Sequence, residues 1–172
     1  SSPPRPREAS RKHPRFTAFG QRIASDLCGP FETGLDGELY AINFVDTATK
    51  YTAVYCIPDK TKETVLAAFQ RFLSDHHAHL PNGVGHFWTD GGGEYLNSEM
   101  DKFCEEMCIR RNITVPYNPQ QNPYAERTWG TLLRKVRTCM AESGIPDKFW
   151  PYAIQQAALI HNVVVDENGM SP

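Results

Sequence analysis

The chain has 172 residues, a length that suits a single domain with a sizeable hydrophobic core. The sequence contains no run of 18 or more apolar residues, so no membrane-spanning helix is predicted. Its five cysteines, an odd number, favour a reducing compartment over a secreted domain built on disulfides. The net charge of −2 does not by itself indicate a dedicated nucleic-acid-binding protein.

The basic residues are concentrated at the N-terminal end. Residues 1–22 contain six Arg and Lys residues against Glu8 alone, a net charge of +5, so the other 150 residues carry −7. Residues 1–17, rich in Pro, Arg and Ser, predict a basic, disordered arm or linker before a folded domain over residues 18–172. Such an arm suits contact with a polyanion, and a solvated tail without function is the alternative. It lacks the apolar segment of a secretory signal, and "RKHPR" is a weak nuclear-address signal.

The first half of the chain predicts three strands, a helix and a fourth strand, over residues 20–27, 40–46, 51–57, 62–77 and 86–89. Short turns rich in Gly, Pro and Asp separate the first three strands, which indicates an antiparallel meander. Asp59 or Thr61 is expected to cap the helix, because either side chain can accept a hydrogen bond from its first amides. The fourth strand ends directly before Asp90.

The second half predicts a helix, a fifth strand and two further helices, over residues 99–108, 111–117, 123–142 and 147–162. Ser98 is expected to cap the first of these helices. Cys104 and Cys108 lie on the apolar stripe of that helix, so we interpret them as core residues rather than metal ligands. The order of the elements predicts an α/β fold, with a five-stranded mixed sheet and helices on its faces.

Three acidic residues lie at the ends of these elements. Asp26 is near the end of the first strand, Asp90 follows the fourth, and Glu126 is in the first turns of the helix that begins at residue 123. If the first and fourth strands are parallel neighbours, both aspartates emerge at one edge of the sheet, where α/β folds place ligand sites. Three carboxylates gathered there would suit Mg²⁺ or Mn²⁺. Each acid also has a structural explanation, since aspartates favour turns and a glutamate favours a helix N-terminus.

The helix that carries Glu126 has a second charged feature. With Asn122 as its cap and Pro123 at its first position, the apolar side chains fall on one side of Glu126. At 100° per residue, three arginines fall on the other side, within about 100° of it: Arg127, Arg134 and Arg137. This pattern would place phosphate-binding side chains beside the carboxylate. The alternative interpretation is an ordinary amphipathic helix with a charged outer face.

The segments around these acids resemble those of a known family. Asp90 and Glu126 are separated by 35 residues and lie in "TDGGGEY" and "VPYNPQQNPYAER", and Asp26 lies in "SDLCGP". "FVDTATKYTAVY" and "SGIPDKFWPYAIQQAALIHN" extend the likeness over about residues 19–172. In these segments the chain resembles the catalytic core of retroviral integrases and, more closely, of copia-type LTR-retrotransposon integrases.

The resemblance implies a ribonuclease H-like fold and a Mg²⁺- or Mn²⁺-dependent polynucleotidyl transferase with endonuclease activity. Asp26, Asp90 and Glu126 would be its catalytic residues and the ligands of two ions, with Asp26 shared between them. It also implies 3′-end processing of retroelement DNA and strand transfer into target DNA by a homo-oligomer, in the nucleus after a stage in a cytoplasmic particle. The residues expected to contact DNA are Tyr117, Asn118, Gln120, Asn122, Arg127, Arg134 and Arg137.

Two other functions are compatible with the residues. One is a ribonuclease H-type nuclease, a family that resembles this fold and takes an extra metal-binding carboxylate from its first helix, where Glu63 lies. An acid in the first turn of a helix is also explained by its favourable interaction with the helix dipole alone. A domesticated, non-catalytic DNA-binding scaffold would keep the fold without the chemistry, and the intact set of acids argues against it. Substitution of Glu126 or Glu63 separates the two enzymes, and metal titration tests the scaffold.

Overall fold

The structure is a computed structural model and describes residues 15–115 and 123–167. The strands are β1 (Arg22–Cys28), β2 (Tyr40–Asp46), β3 (Thr52–Ile57), β4 (His86–Thr89) and β5 (Arg110–Ile113). The helices are α1 (Lys62–Asp75), α2 (Ser98–Glu106), α3 (Pro123–Ser143) and α4 (Trp150–Glu167), with 3₁₀ turns over His77–His79 and Asp147–Phe149. The order of strands and helices is the predicted one. No helix within these two ranges is long and apolar enough to cross a membrane.

The five strands form one mixed sheet in the order β3-β2-β1-β4-β5. β1, β2 and β3 pair antiparallel, whereas β4 pairs parallel with β1 and β5 pairs parallel with β4. The connections explain this arrangement, because the first three strands follow one another through the loop 29–39 and the turn 47–51 without a helix, and the last two enter through helical crossovers. The predicted five-stranded mixed sheet is therefore confirmed.

Helices cover both faces of the sheet because strand side chains alternate between them. Ile42 and Phe44 of β2 belong to the core beneath α1 and α2, whereas Ala41 packs on the other face against α3 and α4. Aromatic rings dominate the first core, where the rings of Phe69 and Phe87 stack with centroids 3.9 Å apart. The apolar side of α3 is the predicted one: Trp129, Leu132 and Val136 are buried, with Leu133 and Met140 packed beside them.

The ends of α1 and α2 decide one open alternative of the sequence interpretation and correct others of its details. Thr61, one of the two predicted candidates, caps α1. Asn97 caps α2 in place of the predicted Ser98, and its side chain accepts a hydrogen bond from the Met100 amide at 2.9 Å. α2 ends at Glu106 instead of residue 108. The chain then turns through Cys108, which is exposed and has a positive φ of 58°. The core assignment is thus right for Cys104, which is buried, and wrong for Cys108.

The last strand and the last helix also differ from the prediction in extent. β5 covers Arg110–Ile113 because its neighbour β4 has only four residues to pair with. Residues 116 and 117, included in the predicted strand, lie outside the described residues. α4 begins at Trp150 after the 3₁₀ turn and continues to Glu167, five residues beyond the predicted end.

Candidate active site

The parallel pairing of β1 with β4 brings Asp26 and Asp90 to the same edge of the sheet. Ala24 pairs with Trp88, and each aspartate lies two residues further along its chain. Because side chains alternate along a strand, Asp26 faces the same side as Ala24, which packs with Trp88 against the first turn of α3. That turn carries Glu126. The fold therefore meets the condition on which the sequence interpretation depended, that the two strands be parallel neighbours.

The electrostatic environment of Asp26 is strongly perturbed. Its pKa is raised to about 6 from an ordinary value of 3.8, chiefly because the carboxyl group is partly buried. A hydrogen bond from the backbone amide of Leu27 lowers this pKa, whereas the negative charges of Asp90, Glu126 and Glu94 raise it further. The charges of the other two acids predicted from the sequence therefore both act on Asp26. Glu94 is a fourth carboxylate in the same region, and sequence reasoning did not identify it.

The carboxylates lie in one region but do not form a preformed metal-binding site. Within the described residues, no three Asp, Glu, His or Cys side chains are arranged as the ligands of one ion. Asp90 is exposed, and its carboxylate accepts a hydrogen bond from the backbone amide of Gly92 at 2.8 Å. Glu126 is exposed as well. The assignment of Asp26, Asp90 and Glu126 as catalytic residues and metal ligands remains a prediction.

Two side chains connect the backbone of Asp26 to α3. The side-chain oxygen of Asn43 accepts a hydrogen bond from the Asp26 amide at 2.9 Å, and its nitrogen donates to the Ala125 carbonyl at 3.0 Å. The indole N–H of Trp129 donates to the Asp26 carbonyl at 3.4 Å. The strand that carries the first acid is thus bonded to the helix that carries Glu126.

A buried polar network lies on the opposite face of the sheet. Arg111 donates hydrogen bonds to the carbonyl oxygens of Phe87 and Tyr95, at 3.0 and 3.1 Å, and to the Thr89 hydroxyl at 2.9 Å. The Tyr95 hydroxyl lies 2.8 Å from the Ser25 hydroxyl, and either group can donate. This network joins β1, which carries Asp26, to β4 and to the loop that follows Asp90.

The three arginines predicted to contact DNA are exposed, and they lie along different parts of α3. The charge of Arg137 acts on the Cys28 thiol, so Arg137 lies beside the end of β1. Arg127 acts on the ammonium group of Lys50, which follows β2. Arg134 lines a groove of about 960 Å³ between α3 and α4. We call these three arginines the basic surface of α3, and DNA binding by it remains a prediction.

The other predicted site residues divide into two groups. Four residues expected to contact DNA lie outside the described residues, so their role, and the capping role of the last, remain predictions: Tyr117, Asn118, Gln120 and Asn122. Glu63, the extra ligand of the ribonuclease H alternative, is exposed in the first turn of α1. α1 covers the sheet face opposite to α3.

Sequence reasoning missed the residues that support the acids. Asn43 carried a usable signal, because an amide between Ile42 and Phe44 in a central strand needs hydrogen-bond partners once it is buried. Tyr95 and Arg111 carried no comparable signal. Their partners are distant in sequence and become apparent only when the strands are paired.

The fold is the ribonuclease H-like fold of retroviral integrase catalytic cores. A chain of the simian T-cell lymphotropic virus intasome, solved in complex with PP2A regulatory subunit B56 gamma, superposes with a TM-score of 0.67 at 20% sequence identity, over 84% of this chain and 49% of that one. The HTLV-2 integrase catalytic core domain in complex with magnesium, in its trimeric form, gives a TM-score of 0.64 at 19% identity, over 84% and 86% of the two chains.

Sequence comparison identifies the family. The family model described as "Integrase core domain" matches residues 17–119, and the chain belongs to this family. It is 35% identical over 141 residues to the retrovirus-related Pol polyprotein from transposon TNT 1-94 of Nicotiana tabacum, which covers 81% of this chain and 10% of the polyprotein. It is 29% identical over 143 residues to the transposon Ty1-NL2 Gag-Pol polyprotein of Saccharomyces cerevisiae, over 83% and 8% of the two chains.

These relatives confirm the predicted resemblance to copia-type LTR-retrotransposon integrase cores. The chain spans about a tenth or less of the length of the polyproteins that it matches.

Proposed function

We propose that this chain catalyses metal-dependent phosphoryl transfer on DNA, processing the 3′ ends of retroelement DNA and joining them to a target duplex. The observation that carries the proposal is the parallel pairing of β1 with β4, which brings Asp26 and Asp90 to one edge of the sheet beside the turn of α3 that carries Glu126, in a chain of the integrase core family. Carboxylates that repel one another at a ligand-binding edge of the sheet favour a bound cation.

The proposed ligands of Mg²⁺ or Mn²⁺ are Asp26, Asp90 and Glu126, with two ions and Asp26 contributing to both. Carboxylate oxygens are the donors that these ions prefer, and a bound cation relieves the repulsion that helps to raise the pKa of Asp26 to about 6. When bound, the ions supply Lewis-acid stabilisation of the attacking and leaving oxygens of an in-line displacement at phosphorus.

The remaining residues of the proposed site bind DNA and hold the acids in place. Arg137, beside the end of β1, and Arg127, next to Glu126, are exposed and suited to hydrogen bonds with DNA phosphates. Asn43 and Trp129 hold the Asp26 backbone against α3. The reacting phosphate would thus lie between the sheet edge that carries Asp26 and Asp90 and the basic surface of α3.

A disintegration assay on a branched DNA with Mn²⁺ tests the proposal, because only the catalytic core has to act in that reaction. Asp26→Asn, Asp90→Asn and Glu126→Gln are expected to abolish strand transfer. Glu63→Gln is the matched control, an acid in the first turn of a helix on the other face, and should leave activity unchanged. Loss of activity in Glu63→Gln with retention in Glu126→Gln would contradict the integrase assignment and support the ribonuclease H-type nuclease.

Calorimetry with Mn²⁺ separates the enzyme from a non-catalytic scaffold. Binding that disappears in Asp26→Asn and Asp90→Asn supports the enzyme. A folded chain that binds DNA but shows neither Mn²⁺ binding nor strand transfer supports the scaffold.

We also propose that the chain acts as a homo-oligomer on DNA in the nucleus. Exposed apolar side chains on α4 support self-association: Leu159 is 61% exposed, Ile160 49% and Val163 56%. Sedimentation velocity should show a larger species for the wild-type chain than for Leu159→Glu, and equal sedimentation would contradict a role for this face.

A further inference from the structure

Asn43 occupies an unusual place in the sheet. It lies on β2 and its side chain is completely buried, at 0% exposure. It points to the same face as Ala41 and Val45, which belong to apolar clusters beneath α3 and α4. An apolar residue would satisfy the packing there, and burying an amide carries a desolvation cost unless both of its polar ends are hydrogen-bonded.

Both ends of this amide are hydrogen-bonded, one to the backbone of a proposed metal ligand and the other to the residue before a second one. The oxygen accepts from the backbone N–H of Asp26 at 2.9 Å, and the nitrogen donates to the carbonyl of Ala125, the residue before Glu126, at 3.0 Å. The two partners lie 17 and 82 residues away in sequence. Since an amide group is planar and rigid, its two bonds set the spacing between strand β1 and the first turn of α3.

We infer that Asn43 is a positioning residue that sets the distance between Asp26 and Glu126, an inference that depends on the proposed function of these two acids. Asn43 touches neither substrate nor metal in this role. It acts through the backbone, so its removal leaves every carboxylate present but no longer held at one spacing. Groups that orient metal ligands in this way typically contribute 10- to 100-fold to metal affinity or activity.

The chain contains a matched control for this inference. The side chain of Asn162 on α4 makes the same pair of bonds, accepting from the Thr52 amide at 2.8 Å and donating to the Thr52 carbonyl at 2.9 Å. These bonds attach α4 to the edge strand β3 and involve none of the proposed ligands. Asn43→Leu and Asn162→Leu therefore each remove two hydrogen bonds from a side-chain amide to backbone groups, and only the first removes them beside the acids.

The test measures Mn²⁺ affinity by calorimetry and disintegration kinetics for the 172-residue chain and both variants, with the melting temperature of each. Both variants should melt at lower temperature than the wild type. Asn43→Leu alone should bind Mn²⁺ at least about tenfold more weakly and lose kcat, with the KM for DNA nearly unchanged. If Asn43→Leu does not fold, Asn43→Ser, which is too short to make both bonds, is measured against Asn162→Ser under the same criteria.

Equal Mn²⁺ affinity and equal kcat in the Asn43 and Asn162 variants would overturn the inference while leaving the proposed function standing. A wild-type chain whose Mn²⁺ binding is absent, or is unaffected by Asp26→Asn, would overturn the proposed function and the inference together. The wild-type and Asp26→Asn measurements together therefore distinguish the two failures.

Discussion

The hydroxyl oxygen of Tyr95 lies 2.8 Å from that of Ser25, the residue immediately before Asp26. Tyr95 follows the glycine-rich loop after Asp90 and is completely buried. Because alternate residues of β1 face opposite sides of the sheet, this bond holds the strand from one face while Asn43 holds it from the other. The loop of the second aspartate is thereby attached to the strand of the first.

Tyr95→Phe should lower the free energy of unfolding by about 1–2 kcal/mol, because it leaves the buried Ser25 hydroxyl without this partner. A double-mutant cycle with Ser25→Ala, followed by urea denaturation, should give a coupling energy of about 0.5–1.5 kcal/mol. Tyr152→Phe, at an exposed tyrosine, should change stability by less than about 0.5 kcal/mol. Additive effects in the cycle would show that the bond contributes nothing.

Arg111→Met should lower the free energy of unfolding by about 2–4 kcal/mol, because three acceptors lose a charged donor. The guanidinium group also packs over the Phe87 ring, 4.8 Å from its centroid, so methionine restores only part of the contact. The neighbouring Arg110 is exposed, and Arg110→Met is expected to stay within about 0.5 kcal/mol of the wild type. Similar losses in both variants, measured by denaturant unfolding, would argue against a structural role specific to Arg111.

The raised pKa of Asp26 predicts a pH-dependent stability in the absence of metal. Above its folded pKa of about 6 the carboxyl group is ionised in both the folded and the unfolded state, and the folded state carries the free-energy cost of a partly buried negative charge. Below the ordinary value of 3.8 it is protonated in both states and the cost is absent. The contribution of Asp26 to stability should therefore become more favourable as pH falls from about 6.5 to about 4.

Asp26→Asn isolates this effect. In EDTA, the variant should be more stable than the wild type at about pH 7.5, by at most about 3 kcal/mol and by less to the extent that solvent screens the group. The difference should shrink toward pH 4, as followed by urea denaturation at each pH. A stability difference that does not change with pH would mean that Asp26 titrates normally in the folded chain.

The basic surface of α3 predicts a salt-dependent affinity for DNA. Each of Arg127→Gln, Arg134→Gln and Arg137→Gln should weaken binding and reduce the slope of log K against log salt concentration by about 1, because one phosphate contact is lost. Arg71→Gln on α1 serves as the control, since Arg71 is exposed on the other side of the sheet. Fluorescence anisotropy over a salt series measures the slope. An unchanged slope in the α3 variants would exclude these arginines from the interface.

The local pattern of the chain was sufficient for most of the secondary structure. The apolar side of α3 follows from helical periodicity, and the buried Trp129 and Leu132 agree with it. Periodicity did not show where α2 stops, because the apolar stripe continues past Glu106 to Cys108, where the backbone has already left the helix. A helix end depends on backbone conformation and capping, which a stripe of apolar residues does not report.

The sequence by itself determined the order of the elements, the apolar sides of the helices and the motifs that mark an integrase core, because these are encoded by neighbouring residues. Only the tertiary structure decided which distant groups meet. Ser25 and Tyr95 are 70 residues apart, and Asn43 and Ala125 are 82 apart. Such pairings arise when the strands register and α3 packs across them, so the candidate acids could be proposed from spacing and motif, whereas the partners of the buried side chains around them could not.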